Sequence, residues 1–190
     1  MTLERGPKHV QALADDLVAA RQAFNDALAD VDPALLTAPG LVGEWSAREL
    51  IAHLAYWAGH AAEALHQAEQ GRVHDFGEDE MDVDARNAVV ARVAAETDLV
   101  TVRQREEAAF DALLSRLKRA EPDRLEEHVS YGDTLEYVVR DDGADHYREH
   151  TADVRSWFTE TDDDADETDD DADDKAAPDD EAAPDDEAEA

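Results

Sequence analysis

The stretch "SARELIAHLAYWAGHAAEALHQAEQG", Ser46 to Gly71, decides the fold. Ser46 followed three residues later by Glu49 makes a capping box, in which each side chain satisfies a backbone N–H that the first helical turn leaves unpaired. Beyond it Leu50, Leu54, Trp57, Ala58, Ala61 and Leu65 return every three or four residues, the spacing of one apolar helical face. Gly71 supplies the stop. A helix of this length with a single apolar stripe must bury it against another element, and the flanking sequence offers further helices.

Pro7 suits a first helical turn, and Val10, Leu13, Leu17, Phe24 and Leu28 predict a helix over 7–30. "DVDPALLTAPGLVGEW", residues 30–45, is punctuated by proline and glycine and reads as a long connection. After the polar link "RVHDFGEDE" at 72–80, a shorter helix is expected over 83–96. "TDL" at 97–99 then restarts the chain into a helix to about residue 120, with Val102, Phe110, Leu113, Leu114 and Leu117 inward and Pro122 ending it. Past "RLEEHVSYGD", the last helical pattern runs from Thr134 to about Glu160, with Gly143 as a kink or break. The only alternating run, "HVSY" at 128–131, is too short for a strand. Four long amphipathic segments predict an all-α, antiparallel four-helix bundle with one longer crossover, occupying residues 1–159.

Residues 160–190 differ in kind. They hold 18 acidic side chains and one lysine, against 32 acidic and 16 basic over the rest, within a total formal charge of −33. "TDDDADE" is followed by "TDDDADD", and "AAPDDE" occurs twice in succession. With almost no apolar surface to offset ordering entropy, this tail is expected to be disordered and to serve solvation. Only Lys8, Lys118 and Lys175 are lysines, so arginine dominates the basic set. An acidic, lysine-poor chain suits molar salt, where the Debye length falls to about 3 Å, and a haloarchaeal origin is the expectation. Such charge argues against nucleic acid and anionic membrane as partners. No run of apolar residues is long enough to span a bilayer and "MTLERGPKHVQ" lacks a signal-peptide core, so the expected location is the cytoplasm. The absence of cysteine removes disulfides and thiolate ligands.

The chemistry concentrates in histidine. In "DHYREHTADVRSWF", residues 145–158, His146 and His150 stand four apart, one turn above another on the same side of a helix. His53 lies among Leu50, Leu54 and Trp57, at or near the bundle interior. Helical bundles build metal sites from inward side chains on facing helices, and three neutral imidazoles with an open fourth position suit Zn²⁺, Ni²⁺ or Fe²⁺. Bound zinc would lower the pKa of its water to about 7. The plainer alternative is three ordinary boundary histidines. On unperturbed values, ligation would weaken below about pH 6.5 as the rings protonate. "HYREH" also matches the H-x-x-E-H protease pattern, but Glu149 points in a different helical direction and no structured helix follows to supply a further ligand. His60 could reach the face of His53, and Asp142 and Asp145 could orient an imidazole. Trp57 is either a pocket wall or core. His9, His66, His74 and His128 are expected at the surface.

"LVGEWSARELIAHLAYW", residues 41–57, followed far downstream by "DHYREHTADVRSW" resembles the DinB/YfiT-like superfamily of four-helix bundles over about residues 7–159. "DARNAVVARV", residues 84–93, is similar to the ClbS/DfsB-like branch, and mycothiol-dependent maleylpyruvate isomerase N-terminal domains are relatives. The resemblance implies a divalent metal held by one histidine on the second helix and an H-x-x-x-H pair on the last, here His53, His146 and His150. It implies a small-molecule substrate, with a low-molecular-weight thiol held as thiolate by the metal, and a transferase, isomerase or hydrolase activity. The alternative it carries is a non-catalytic bundle that binds or sequesters a reactive small molecule in stress or self-protection. A homodimer is compatible with such bundles, although no surface in the sequence identifies an interface.

Overall fold

The computed structural model describes residues 6–77 and 82–166, with side chains described as far as Trp157. Its helices are α1 (Pro7–Ala29), α2 (Ala47–Glu69), α3 (Val83–Ala95), α4 (Leu99–Arg119), the short α5 (Leu135–Val139) and α6 (His146–Asp166). Among the described residues the fold is all-helical. Pairing is confined to two isolated antiparallel bridges, Val42 with Trp45 and His128 with Thr134.

Local chemistry sets the helix starts where the sequence put them. Pro7 occupies the first turn of α1. At α2, the Ser46 hydroxyl accepts from the Arg48 N–H and the Glu49 carboxylate accepts from the Ser46 N–H at 2.9 Å. Gly71, at φ 70°, takes the left-handed conformation that closes the helix. Asp98 caps α4 by accepting from the Thr101 N–H at 2.9 Å, and Arg116, Lys118 and Arg119 face the negative end of its dipole.

The helix α2 packs along α4 and under α3, while α1 packs against α6 and α4. The stripe read on α2 is buried almost completely, with Leu50, Leu54, Ala58, Ala61 and Leu65 at 3% exposure or less. Leu17 and Phe24 of α1, Leu113 and Leu117 of α4 and Tyr147 and Val154 of α6 complete the interior. Each large apolar side chain so buried contributes roughly 1.5–3 kcal/mol. One polar network crosses this core. The Arg21 guanidinium donates to both oxygens of Glu106 at 2.7 and 2.6 Å, and the Tyr147 hydroxyl donates to the same carboxylate at 2.5 Å. Burial, and then Glu106, hold the Tyr147 phenol well above the usual tyrosine range, so it stays a donor.

The last helical pattern breaks at Gly143, as the sequence led one to expect, and departs from expectation at its C-terminal end. It is two helices, joined across Arg140–Asp145 by a wider, π-type turn in which Gly143 sits at φ −112° and ψ −108°. A Cβ on Gly143 would lie 3.3 Å from Leu17 Cδ1 and 3.6 Å from Leu113 Cδ2, so the missing side chain also lets the turn close on α1 and α4. At the other end, α6 continues past Glu160 to Asp166. The composition changes near Glu160, but no glycine or proline stands there to stop a helix. The rest of the acidic tail, residues 167–190, lies outside the described residues, as does its expected disorder.

Candidate functional site

His53 projects from α2 on the apolar stripe. The π-type turn before α6 sets the rotation at which His146, the first residue of that helix, and His150, one turn later, come to face it. The three rings converge, with centroids 4.7 Å apart for His53 and His146, 5.2 Å for His53 and His150, and 4.9 Å for His146 and His150. One ligand nitrogen from each falls within 4.8 Å of the others. Nε2 of His53 and Nε2 of His146 are 2.9 Å apart. Bonds of about 2.0–2.1 Å to a tetrahedral ion separate ligand nitrogens by roughly 3.4 Å, the scale of this cluster.

The surroundings favour neutral rings. Burial, followed by repulsion from His150, lowers the pKa of His53 to about 4. Burial, followed by His53 and His150, lowers that of His146 to about 3. The loss of ligation expected below pH 6.5 is therefore not imposed by these two rings, which remain unprotonated in the fold well below that value. His150 is fixed differently. Its Nδ1 is 2.7 Å from Oδ2 of Asp153, and its buried Nε2 has no hydrogen-bond partner. An imidazole held by a carboxylate through one nitrogen, with the other bare and buried beside two more imidazoles, is a donor arrangement suited to a cation. The donor set thus fits a divalent metal.

The triad forms the inner wall of a cavity of about 570 Å³, the size of a small-molecule site. Trp57 belongs to both core and cavity. It is only 8% exposed, donates its indole N–H to Asn87 Oδ1 at 3.1 Å, and lines the cavity beside His53. Trp45 lies with its ring centroid 5.2 Å from that of His53. It sits at the end of a tight turn, Val42 to Trp45, that Gly43 permits at φ 57°. Arg86 of α3, 7% exposed, places its guanidinium over the rings of Trp57 and Tyr56, at 5.5 and 5.7 Å.

Of the candidate orienting residues, Asp142 reaches an imidazole but not one of the triad. Its Oδ2 lies 2.6 Å from Nδ1 of His60, and both line the cavity. Asp145 orients none and accepts from Arg148 instead, at 2.8 Å. Glu149 lies at the cavity edge but is not one of the converging groups. His74 and His128 are exposed as expected, whereas His66 and His9 are partly buried, His9 3.0 Å from Glu136. Asp153, Trp45 and Arg86 do not stand out in the sequence as parts of the site. The first carried a signal, a carboxylate one turn after His150, that the general excess of acid concealed. The other two reach the site only through the path of a loop and the docking of α3.

A family model described as the DinB superfamily matches residues 16–153. No curated protein matches the chain. Among solved structures, it resembles the mycothiol-dependent maleylpyruvate isomerase with a TM-score of 0.64 and 18% identity over 76% of this chain. The chain spans 60% of that isomerase's length. It also resembles the colibactin self-resistance protein ClbS, solved in complex with double-stranded DNA, with a TM-score of 0.63 and 15% identity over 82% of this chain and 96% of that one. An uncharacterised protein from Escherichia coli UTI89 gives a TM-score of 0.67 at 12% identity, over 83% of this chain and 95% of that one. At these identities the likenesses speak to the fold.

Proposed function

This chain belongs to the DinB superfamily, and from that premise we propose that His53, His146 and His150 hold one divalent metal ion at the inner end of the cavity, where a small molecule reacts. Zinc, nickel and iron(II) all accept three imidazoles. When bound, such an ion polarises a ligand or stabilises a thiolate or hydroxide. The class of reaction is transfer, isomerisation or hydrolysis of a small molecule, with a low-molecular-weight thiol or water as the second reactant. The four long helices act as an antiparallel bundle that carries the site, in a cytoplasm rich in salt.

The observation that carries the proposal is the buried, unpartnered Nε2 of His150 beside the facing Nε2 atoms of His53 and His146. An unsatisfied buried nitrogen costs about 1–3 kcal/mol, which a bound cation would relieve. Asp153 holds the tautomer of His150, Trp45 and Trp57 wall the ring cluster from solvent, and the neutral state of His53 and His146 keeps both lone pairs available at neutral pH.

Metal content of untagged protein is the direct test. Stoichiometric metal should be lost in His53→Ala and in the His146→Ala/His150→Ala double variant, and metal persisting in the double variant would overturn the assignment. Turnover in a screen of small thiols with electrophilic acceptors, abolished in the same variants, separates an enzyme from the second reading, a non-catalytic bundle that sequesters its ligand. That reading has the aromatic lining of the cavity, Trp45, Trp57, Tyr131 and Tyr137, in its favour.

A further inference from the structure

Three carboxylates stand at the cavity mouth without a lysine or arginine partner among the described residues. Asp133, Asp141 and Glu149 line it and are exposed. The arginines beside two of them in sequence are committed elsewhere. Arg140 reaches Asp145 at 3.6 Å, and Arg148 binds both Asp145 and Asp16. Among the described residues no lysine or arginine pairs with Asp133, Asp141 or Glu149. The carboxylate of Asp142 is already engaged with His60 deeper in the cavity.

Aromatic rings stand among these charges. Tyr131 and Tyr137, half-exposed at 50% and 51%, line the mouth, and Trp57 lines the wall behind. The wall already holds one cation on an aromatic face, the Arg86 guanidinium over Trp57. The field at the mouth acts on its own residues too: Asp141, chiefly through its charge, holds the Tyr137 phenol above its usual range, with smaller contributions from Asp133 and Asp142. At the inner end, the unpartnered Nε2 of His150 marks a place where a polar ligand atom or ion is wanted. The two ends of the cavity thus ask for different chemistry.

We propose that the cavity takes a cationic small molecule, a primary or quaternary amine on a compact apolar body, with its positive end among Tyr131, Tyr137 and the carboxylates of Asp133, Asp141 and Glu149. This rests on the triad cavity being the functional site and names its substrate class. A carboxylate-bearing ligand of the same shape would meet three like charges at the mouth, whereas an ammonium gains both the carboxylates and the ring faces.

The test uses three probes of one shape on the full chain: 2-phenylethylammonium, the neutral 2-phenylethanol and the anionic 3-phenylpropionate. Binding is read by calorimetry and by the fluorescence of Trp45 and Trp57, on zinc-loaded and on chelator-stripped protein. The ammonium should bind about tenfold or more tighter than the alcohol, with the anion weakest. The preference should collapse toward unity in Asp133→Asn/Asp141→Asn. It should survive in Asp26→Asn/Asp30→Asn, which removes the same charge from the C-terminal end of α1 and its cap, outside the cavity lining. Equal binding of the three probes, no binding of any, a preference for the anion, or equal loss of preference in both double variants would overturn the proposal. An ammonium preference in stripped protein that takes up no zinc would instead sink the metal assignment and leave this inference standing.

Discussion

Asp153 controls how His150 presents itself, because the nitrogen it binds fixes which one remains bare. Asp153→Asn keeps the shape and removes the charge that secures the tautomer. Metal affinity, measured by competition with a chromophoric chelator, should fall about 10- to 100-fold with the helical circular dichroism unchanged. An unchanged affinity would show that Asp153 is a surface residue paired by chance. His53 and His146 make a separate prediction for metal-free protein. Above about pH 6.5 both rings are neutral whether the chain is folded or not, so stability is complete there. Below it the unfolded chain takes up protons that the fold refuses until about pH 4 for His53 and about pH 3 for His146. Stability should therefore fall with decreasing pH through that window, by at most about 1.4 kcal/mol per pH unit from each ring. Urea midpoints of chelator-treated protein give the slope, and His146→Asn should flatten it. A wild-type midpoint that does not move between neutral and mildly acid pH would contradict the burial of these rings.

At the scale of elements, the turn before α6 aims the site, whereas the cap of α2 starts the helix that carries His53. Gly143→Ala adds a methyl 3.3 Å from Leu17 Cδ1 where the backbone is outside the helical region. We expect a loss of about 1–3 kcal/mol in chemical denaturation, and weaker metal binding as α6 is pushed out of register with α2. Stability lost without any change in metal affinity would mean that the turn is structural only. Ser46→Ala removes half of the capping box and should cost about 1 kcal/mol, with the metal site intact, since His53 lies at the end of the second turn of α2, on the buried stripe that packing holds in place. The cap, the α2 stripe and the glycine break were all legible in the sequence because they are local. The Arg21–Glu106–Tyr147 network was not: a lone arginine on α1 and a glutamate 85 residues later carry no mark of being partners until α1 and α4 pack.

For the molecule as a whole, the formal charge of −33 is the dominant fact. Self-repulsion on this scale should make the thermal midpoint rise between about 0.1 M and about 2 M potassium chloride, as screening shortens from roughly 10 Å to a few ångströms. A midpoint independent of salt would remove the case for a salt-adapted surface. The same charge bears on the likeness to ClbS, whose structure includes double-stranded DNA. With 50 acidic against 17 basic residues, this chain is expected to give no mobility shift with a DNA duplex at about 0.15 M salt. A retarded complex that dissolves as salt rises would show that a local cationic surface overrides the total. No helix among the described residues is long and apolar enough to cross a membrane.

The sequence by itself determined where the long helices start, the cap and the buried face of α2, and the presence of His146 and His150 on one side of a helix. Each follows from interactions within a few residues, where the period of 3.6 fixes which side chains share a face. Only the tertiary structure decided that His53 meets His146 across 93 residues, that Asp142 turns to His60 rather than to the triad, and that Arg86 and Trp45 enclose the cavity. Helical periodicity names a face but leaves open the rotation and offset at which two helices meet. Here the π-type turn at Gly143 and the packing of α6 on α1 set them, through contacts between residues that no local pattern joins.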